Sequence, residues 1–190
     1  MINPGDTVVN PVTSERLTFL KTSRQTDGEY CLIEATVRPN GFVAAKHIHP
    51  YQSERFEVVS GTLTMTVGRK KIELGPGESY TVEPGSAHKF ENKGDAEVRF
   101  TCEVRPALSF EELIETMYGL AADGKTNKKG MPNPLRLAVI ARHHFDHVRL
   151  PVVPQALQKA ALAMGAPIGR LAGYQAVYVP AGGGAAPAVA

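Results

Sequence analysis

From about Glu15 to Arg105 the chain alternates apolar and polar residues with a period of two, run after short run, and glycines or prolines separate the runs. Over residues 29–38, Cys31, Ile33, Ala35 and Val37 share one face, and Tyr30, Leu32, Glu34 and Thr36 the other. Leu63, Met65 and Val67 oppose Thr62, Thr64 and Thr66. Val98, Phe100, Cys102 and Val104 oppose Glu97, Arg99, Thr101 and Glu103. Successive side chains of a strand point to opposite faces, so each run reads as a strand with one buried side. Many short strands with turn residues between them predict an antiparallel sandwich or barrel, and this half shows no helical period.

The pattern changes at Pro106. Residues 109–112 (Ser-Phe-Glu-Glu) fit a capping box, after which Leu113, Ile114, Met117, Leu120 and Ala121 recur at helical spacing and Gly124 marks a stop. Asn133 and Pro134 can cap and start a second helix, running toward Pro151 and Pro154, and residues 155–165 predict a third. A chain of 190 residues can bury one core with an appendage. The expected organisation is a β-barrel over residues 1–106, a helical extension over 107–180 and a disordered tail over 181–190, where Gly, Ala and Pro make up all but one position.

Within the strand half, His47 and His49 lie two residues apart, so on a strand both rings project from one side, with Lys46 and Ile48 on the other. Glu54 opens the next strand after a turn at residues 50–53, and an antiparallel return brings it back beside the imidazoles. His88 follows the Pro84-Gly85 turn on a neighbouring strand. Three imidazoles and one carboxylate make a plausible ligand set for a first-row transition metal.

These residues resemble the two motifs of the cupin superfamily, in its single-domain, quercetin-dioxygenase-like form. Gly41, His47, His49, Glu54 and Gly61 occupy every position of the first motif, and Gly77, Gly85, His88 and Asn92 fit the second. At the second motif's proline position stands Glu83, with Pro84 one place later, which alters the turn before His88. The resemblance implies a mainly β, double-stranded β-helix (jelly roll) with two to three C-terminal α-helices. It also implies one divalent metal, Fe, Mn, Ni, Cu or Zn, held by His47, His49, Glu54 and His88. An octahedral ion would keep two positions open, whereas tetrahedral zinc would be saturated. Glu54 is the candidate catalytic residue, as a base toward a bound substrate. Phe56 and Phe90 share faces with Glu54 and His88 and are candidates for an apolar wall, although core packing is the preferred reading of each.

The expected activity is that of an oxygenase-like enzyme on a small organic molecule. The alternatives are a cupin that binds or senses a ligand without catalysis, and a metal-assisted isomerase or cyclase. Similar cupins pair, so a homodimer is expected. A net charge of +2 gives no argument for nucleic acid. No window offers the roughly 20 apolar residues of a membrane span. The polar start and two separated cysteines in apolar strands, Cys31 and Cys102, suggest a reducing, cytoplasmic setting.

Half of the six histidines lie in residues 142–147 (Arg-His-His-Phe-Asp-His). On a helix His143 and His147 would be one turn apart and able to chelate an ion with Asp146 or His144. A solvated last helical turn is the preferred reading, because imidazoles suit the negative end of the helix dipole.

Overall fold

The computed structural model describes residues 2–180 and 186–187. Its strands are β1 (Asp6–Asn10), β2 (Glu15–Lys21), β3 (Cys31–Val37), β4 (Ser53–Ser60), β5 (Leu63–Val67), β6 (Lys70–Leu74), β7 (Ser79–Val82), β8 (His88–Glu91), β9 (Val98–Arg105) and β10 (Ala186–Pro187). The helices are α1 (Phe110–Ala122), α2 (Pro134–His143) and α3 (Gln155–Leu171). One sheet runs β10-β1-β2-β3-β9-β4-β7 and the other β6-β5-β8, with antiparallel pairing throughout. The antiparallel sandwich or barrel expected from the alternation is present as two sheets, in the jelly-roll, double-stranded β-helix form that the resemblance implied. The tail expected over residues 181–190 lies outside the described residues, apart from the backbone of β10.

The inward faces are those the alternation assigns: Cys31, Ile33, Ala35 and Val37 on β3, and Val98, Phe100, Cys102 and Val104 on β9, are all buried. Both cysteines are free thiols. Phe90 of β8 meets Phe56 of β4 and Phe100 of β9, with ring centroids 6.1 and 5.4 Å apart, so aromatic packing joins the two sheets.

Several local expectations are corrected. Strand structure begins at β1, ahead of Glu15. His47 and His49 do not sit on a regular strand. The segment around them meets β8 only through isolated bridges, Phe42 with Glu91 and His47 with His88. Glu54 belongs to the other sheet, where β4 pairs with β7 and β9, so the candidate ligand residues converge from two facing sheets rather than from adjacent hairpins.

The capping box at Ser109 does not form. Ser109 makes no side-chain cap, and its hydroxyl contacts His144 and His147 instead. The second helix starts as expected, with the Asn133 side chain accepting from the Arg136 amide and Pro134 in the first turn. It ends at His143, well before Pro151, because the following chain must turn back so that Arg149 can pair its backbone with Ile48. The third helix passes Gly165 and runs through Pro167 to Leu171. A proline deprives the carbonyl four residues earlier of its helical donor. That carbonyl, on Ala163, instead has the Arg142 guanidinium 3.5 Å away.

Candidate metal centre

The backbone brings the two histidine motifs together. His47 and His88 exchange both amide hydrogen bonds, at 3.0 and 2.9 Å, and so face one another as a cross-strand pair. The turn before His88 is pinned to the first motif, since the Gly85 amide donates to the His49 carbonyl at 2.8 Å. Pro84 followed by Gly85 at φ +79° fits a type II turn, closed by the Ser86 amide on the Glu83 carbonyl at 3.1 Å. The shifted proline therefore still delivers His88 to the site. Glu54 arrives from the opposite side, on the inward face of β4 with Phe56 and Val58.

Each imidazole is held by its Nδ1. His47 donates to the Ala45 carbonyl at 2.8 Å, His49 to the His147 carbonyl at 2.7 Å and His88 to the Ser86 carbonyl at 3.0 Å. Carbonyl oxygens only accept, so each Nδ1 carries the proton and each Nε2 presents a lone pair. Outer hydrogen bonds of this kind orient metal-ligating histidines. Glu54 Oε2 lies 2.6 Å from His88 Nε2, and Glu54 Oε1 lies 3.6 Å from His49 Nε2. Glu54 is 6% exposed and His88 1%.

With neutral rings the close Glu54–His88 contact joins two acceptors, and both atoms are left without a satisfying partner. A shared positive species resolves this, either a proton on His88 or a metal cation. Burial would raise the Glu54 carboxyl, but His49 and then His88 outweigh it and hold it down at about 2. Burial would lower His88, yet its contact with Glu54 raises it overall. His47 is pushed down to about 3, first by burial and then by His49 and His88, although its side chain retains some access to the cavity. The ligand atoms of His47, His49, Glu54 and His88 all lie within 4.8 Å of one another. Donors bonded to one ion at about 2.1 Å stand at most about 4.2 Å apart, so the cluster could hold a divalent transition metal once its side chains shift by fractions of an ångström.

This cluster lines a cavity of about 480 Å³ whose other walls are mostly apolar. Phe56 and Phe90 pack against one another, as preferred for them, and both also border the cavity. The helices add to its lining: Met117 of α1, Leu137 of α2 and Leu162 of α3 border the same space as the histidines.

One residue of the cavity was not singled out from the sequence. Glu15 opens β2, is 4% exposed and accepts from the Thr13 hydroxyl at 2.5 Å. Burial lifts its carboxyl to about 7, against the opposing hydrogen bonds of Thr13 and Tyr118. Period-two reading contains the signal, because Glu15 shares a face with Leu17 and Phe19.

The second histidine group is not a solvated helical turn. His143 does point outward, but His144 is fully buried, and burial followed by its histidine neighbours pushes its ring down to about 4. The helix ends at His143, so His143 and His147 are not one helical turn apart.

Residues 33–104 match the family model of the Cupin domain. An uncharacterized protein of Methanocaldococcus jannaschii is 31% identical over 81 residues, which are 43% of this chain and 64% of that protein. Quercetin 2,3-dioxygenase of Bacillus subtilis is 26% identical over 72 residues, 38% of this chain and 21% of that enzyme. The chain thus spans less than two thirds of either relative. Among solved structures, a predicted oxalate decarboxylase of Thermotoga maritima is similar with a TM-score of 0.47 at 16% identity, covering 48% of this chain and 80% of that one. Among the described residues, no helix is long and apolar enough to cross a membrane.

Proposed function

We propose that this chain, whose residues 33–104 match the Cupin domain model, is a metal-dependent, oxygenase-like enzyme of the cupin superfamily acting on a small, largely apolar organic molecule that carries oxygen donors. The observation that carries this reading is the shared orientation of the three imidazoles. All commit Nδ1 to backbone carbonyls and turn Nε2, with the Glu54 carboxylate, into the end of an apolar cavity.

A divalent ion held by His47, His49, Glu54 and His88 would supply Lewis-acid chemistry and, if redox-active, electron transfer to dioxygen. The protein's own part is positioning and proton management. Phe56, Phe90 and Met117 would hold the apolar body of an enol or diol, with residues of all three helices adding apolar lining. Glu54, ionised at neutral pH, would take the hydroxyl proton of the substrate on a carboxylate oxygen that the ion leaves free. The barrel over residues 1–106 and the helices over 107–180 would act together, since both border the cavity.

A homodimer is part of the proposal. Leu157, Met164, Ile168 and Leu171 form an exposed apolar stripe along α3, suited to a second copy of the chain. A cytoplasmic location is supported by the free, buried Cys31 and Cys102.

The test is oxygen uptake by the metal-loaded protein offered a flavonol or a β-diketone. Uptake that disappears in His49→Ala supports the enzyme. Turnover without oxygen would replace it by a metal-assisted isomerase or cyclase. Tight binding of such compounds with no turnover, around zinc in a closed four-ligand site, would make the protein a binding module instead.

A further inference from the structure

Away from the cupin ligands, α1 and the end of α2 bring together a second group of donors. Glu112 Oε1 lies 2.9 Å from His143 Nε2 and 3.7 Å from His144 Nε2. One ligand atom from each of the three residues falls within 4.8 Å of the others. Ser109, one turn before Glu112, contacts His144 Nδ1 at 3.0 Å and His147 Nδ1 at 2.5 Å.

The hydroxyl of Ser109 has one proton to give. If it donates to His147, it accepts from His144 Nδ1–H, and His144 Nε2 is a bare lone pair facing a carboxylate. If it donates to His144, the Nε2–H of that ring points toward an oxygen 3.7 Å away, beyond hydrogen-bond reach. In both cases Nε2 of a fully buried ring has no partner among the described residues. Orphaned buried polar atoms are rare and call for a partner. A cation bound between His144 Nε2, His143 Nε2 and Glu112 supplies one, and in the first arrangement Ser109 fixes the tautomer that binds it.

We propose that Glu112, His143 and His144 form a second metal site, distinct from the cupin centre, for a borderline divalent cation such as zinc. Two imidazoles and one carboxylate suit zinc and leave a fourth position for water. Glu112 and His143 are partly solvent-exposed, so the ion can enter from outside the cavity. The site clamps α2 to α1, both of which line the cavity. It also explains why the expected capping box is absent, since Ser109 and Glu112 turn toward the histidines.

The test uses full-length wild-type protein, Glu112→Gln and Glu54→Gln, each stripped with chelator and titrated calorimetrically with zinc chloride. Zinc per chain is then measured after dialysis. Two equivalents in wild type, with one lost in each variant, establish both sites. A single equivalent lost in Glu112→Gln but kept in Glu54→Gln supports the second site while the cupin centre fails. A Glu112→Gln protein that binds as many equivalents as wild type overturns the proposal. His143→Ala, at an exposed position, must remove the same equivalent as Glu112→Gln, and retention of that equivalent overturns the proposal equally. Circular dichroism of the stripped variants separates loss of the site from loss of the fold.

Discussion

Glu15 sets a pH dependence that can be worked out from its surroundings. Its carboxyl is lifted from 4.5 to about 7, chiefly by burial, while Thr13 and Tyr118 partly oppose the rise. Below the unfolded value both states hold the proton and the folded protein loses nothing. As pH rises toward the folded value, the unfolded chain releases a proton that the folded protein keeps, so stability falls. At 1.36 kcal/mol per unit, the full loss is about 3 kcal/mol and is complete once pH exceeds the folded value. Glu15→Gln keeps the shape and removes the titration. Urea unfolding of both proteins from pH 4 to 9, at one fixed metal content, gives the difference in stability. Histidine contributions are common to both and cancel. The variant is expected to gain on wild type between about pH 4.5 and 7 and to hold an advantage of up to about 3 kcal/mol above that. Stability curves that stay parallel across the whole range would refute the reasoning.

Asn92 donates to the Val37 and Ala96 carbonyls at 2.9 and 2.8 Å and accepts from the Gly94 amide at 2.9 Å. Asn92→Ala should cost about 2–4 kcal/mol in urea unfolding, because buried backbone groups lose their partners. Gly61 has φ +78°, and an added Cβ would stand 2.7 Å from the Glu97 carbonyl oxygen. Gly61→Ala should therefore cost at least about 1–3 kcal/mol by the same measurement, and a neutral result would contradict the close approach. Met164→Glu, on the exposed stripe of α3, should convert a dimer to a monomer in size-exclusion chromatography with light scattering. In the Glu112→Gln background, which lacks the proposed second site, metal at a hundredfold excess over its dissociation constant should stabilise the protein by about 2.7 kcal/mol in urea unfolding, and His88→Ala should abolish that gain.

The strands were legible because their burial is two-sided and periodic. Leu17, Phe19 and the inward sets of β3 and β9 follow directly from period two. The candidate metal-binding residues were legible as residue types at fixed spacing, but not as geometry. His47 and His88 meet through isolated bridges, and Glu54 comes from the opposing sheet, pairings that local spacing does not encode. At Ser109 and Glu112, local sequence favours a helix cap, but tertiary contacts with residues more than thirty positions away take both side chains. Pro167 reads as a helix breaker, yet the helix continues, with Arg142 of another helix 3.5 Å from the freed carbonyl. Glu15 lay in plain alternation, yet its chemistry depends on how deeply the helices bury it.

The account rests on the convergence of His47, His49, Glu54 and His88 on one ion, and anomalous diffraction from metal-loaded crystals tests this most directly. The expected result is a peak bonded at about 2.0–2.2 Å to the Nε2 atoms of all three histidines and to a Glu54 oxygen, with Glu54 and His88 no longer in direct contact. A fully loaded protein with no peak there, and with Glu54 Oε2 still 2.6 Å from His88 Nε2, would contradict it.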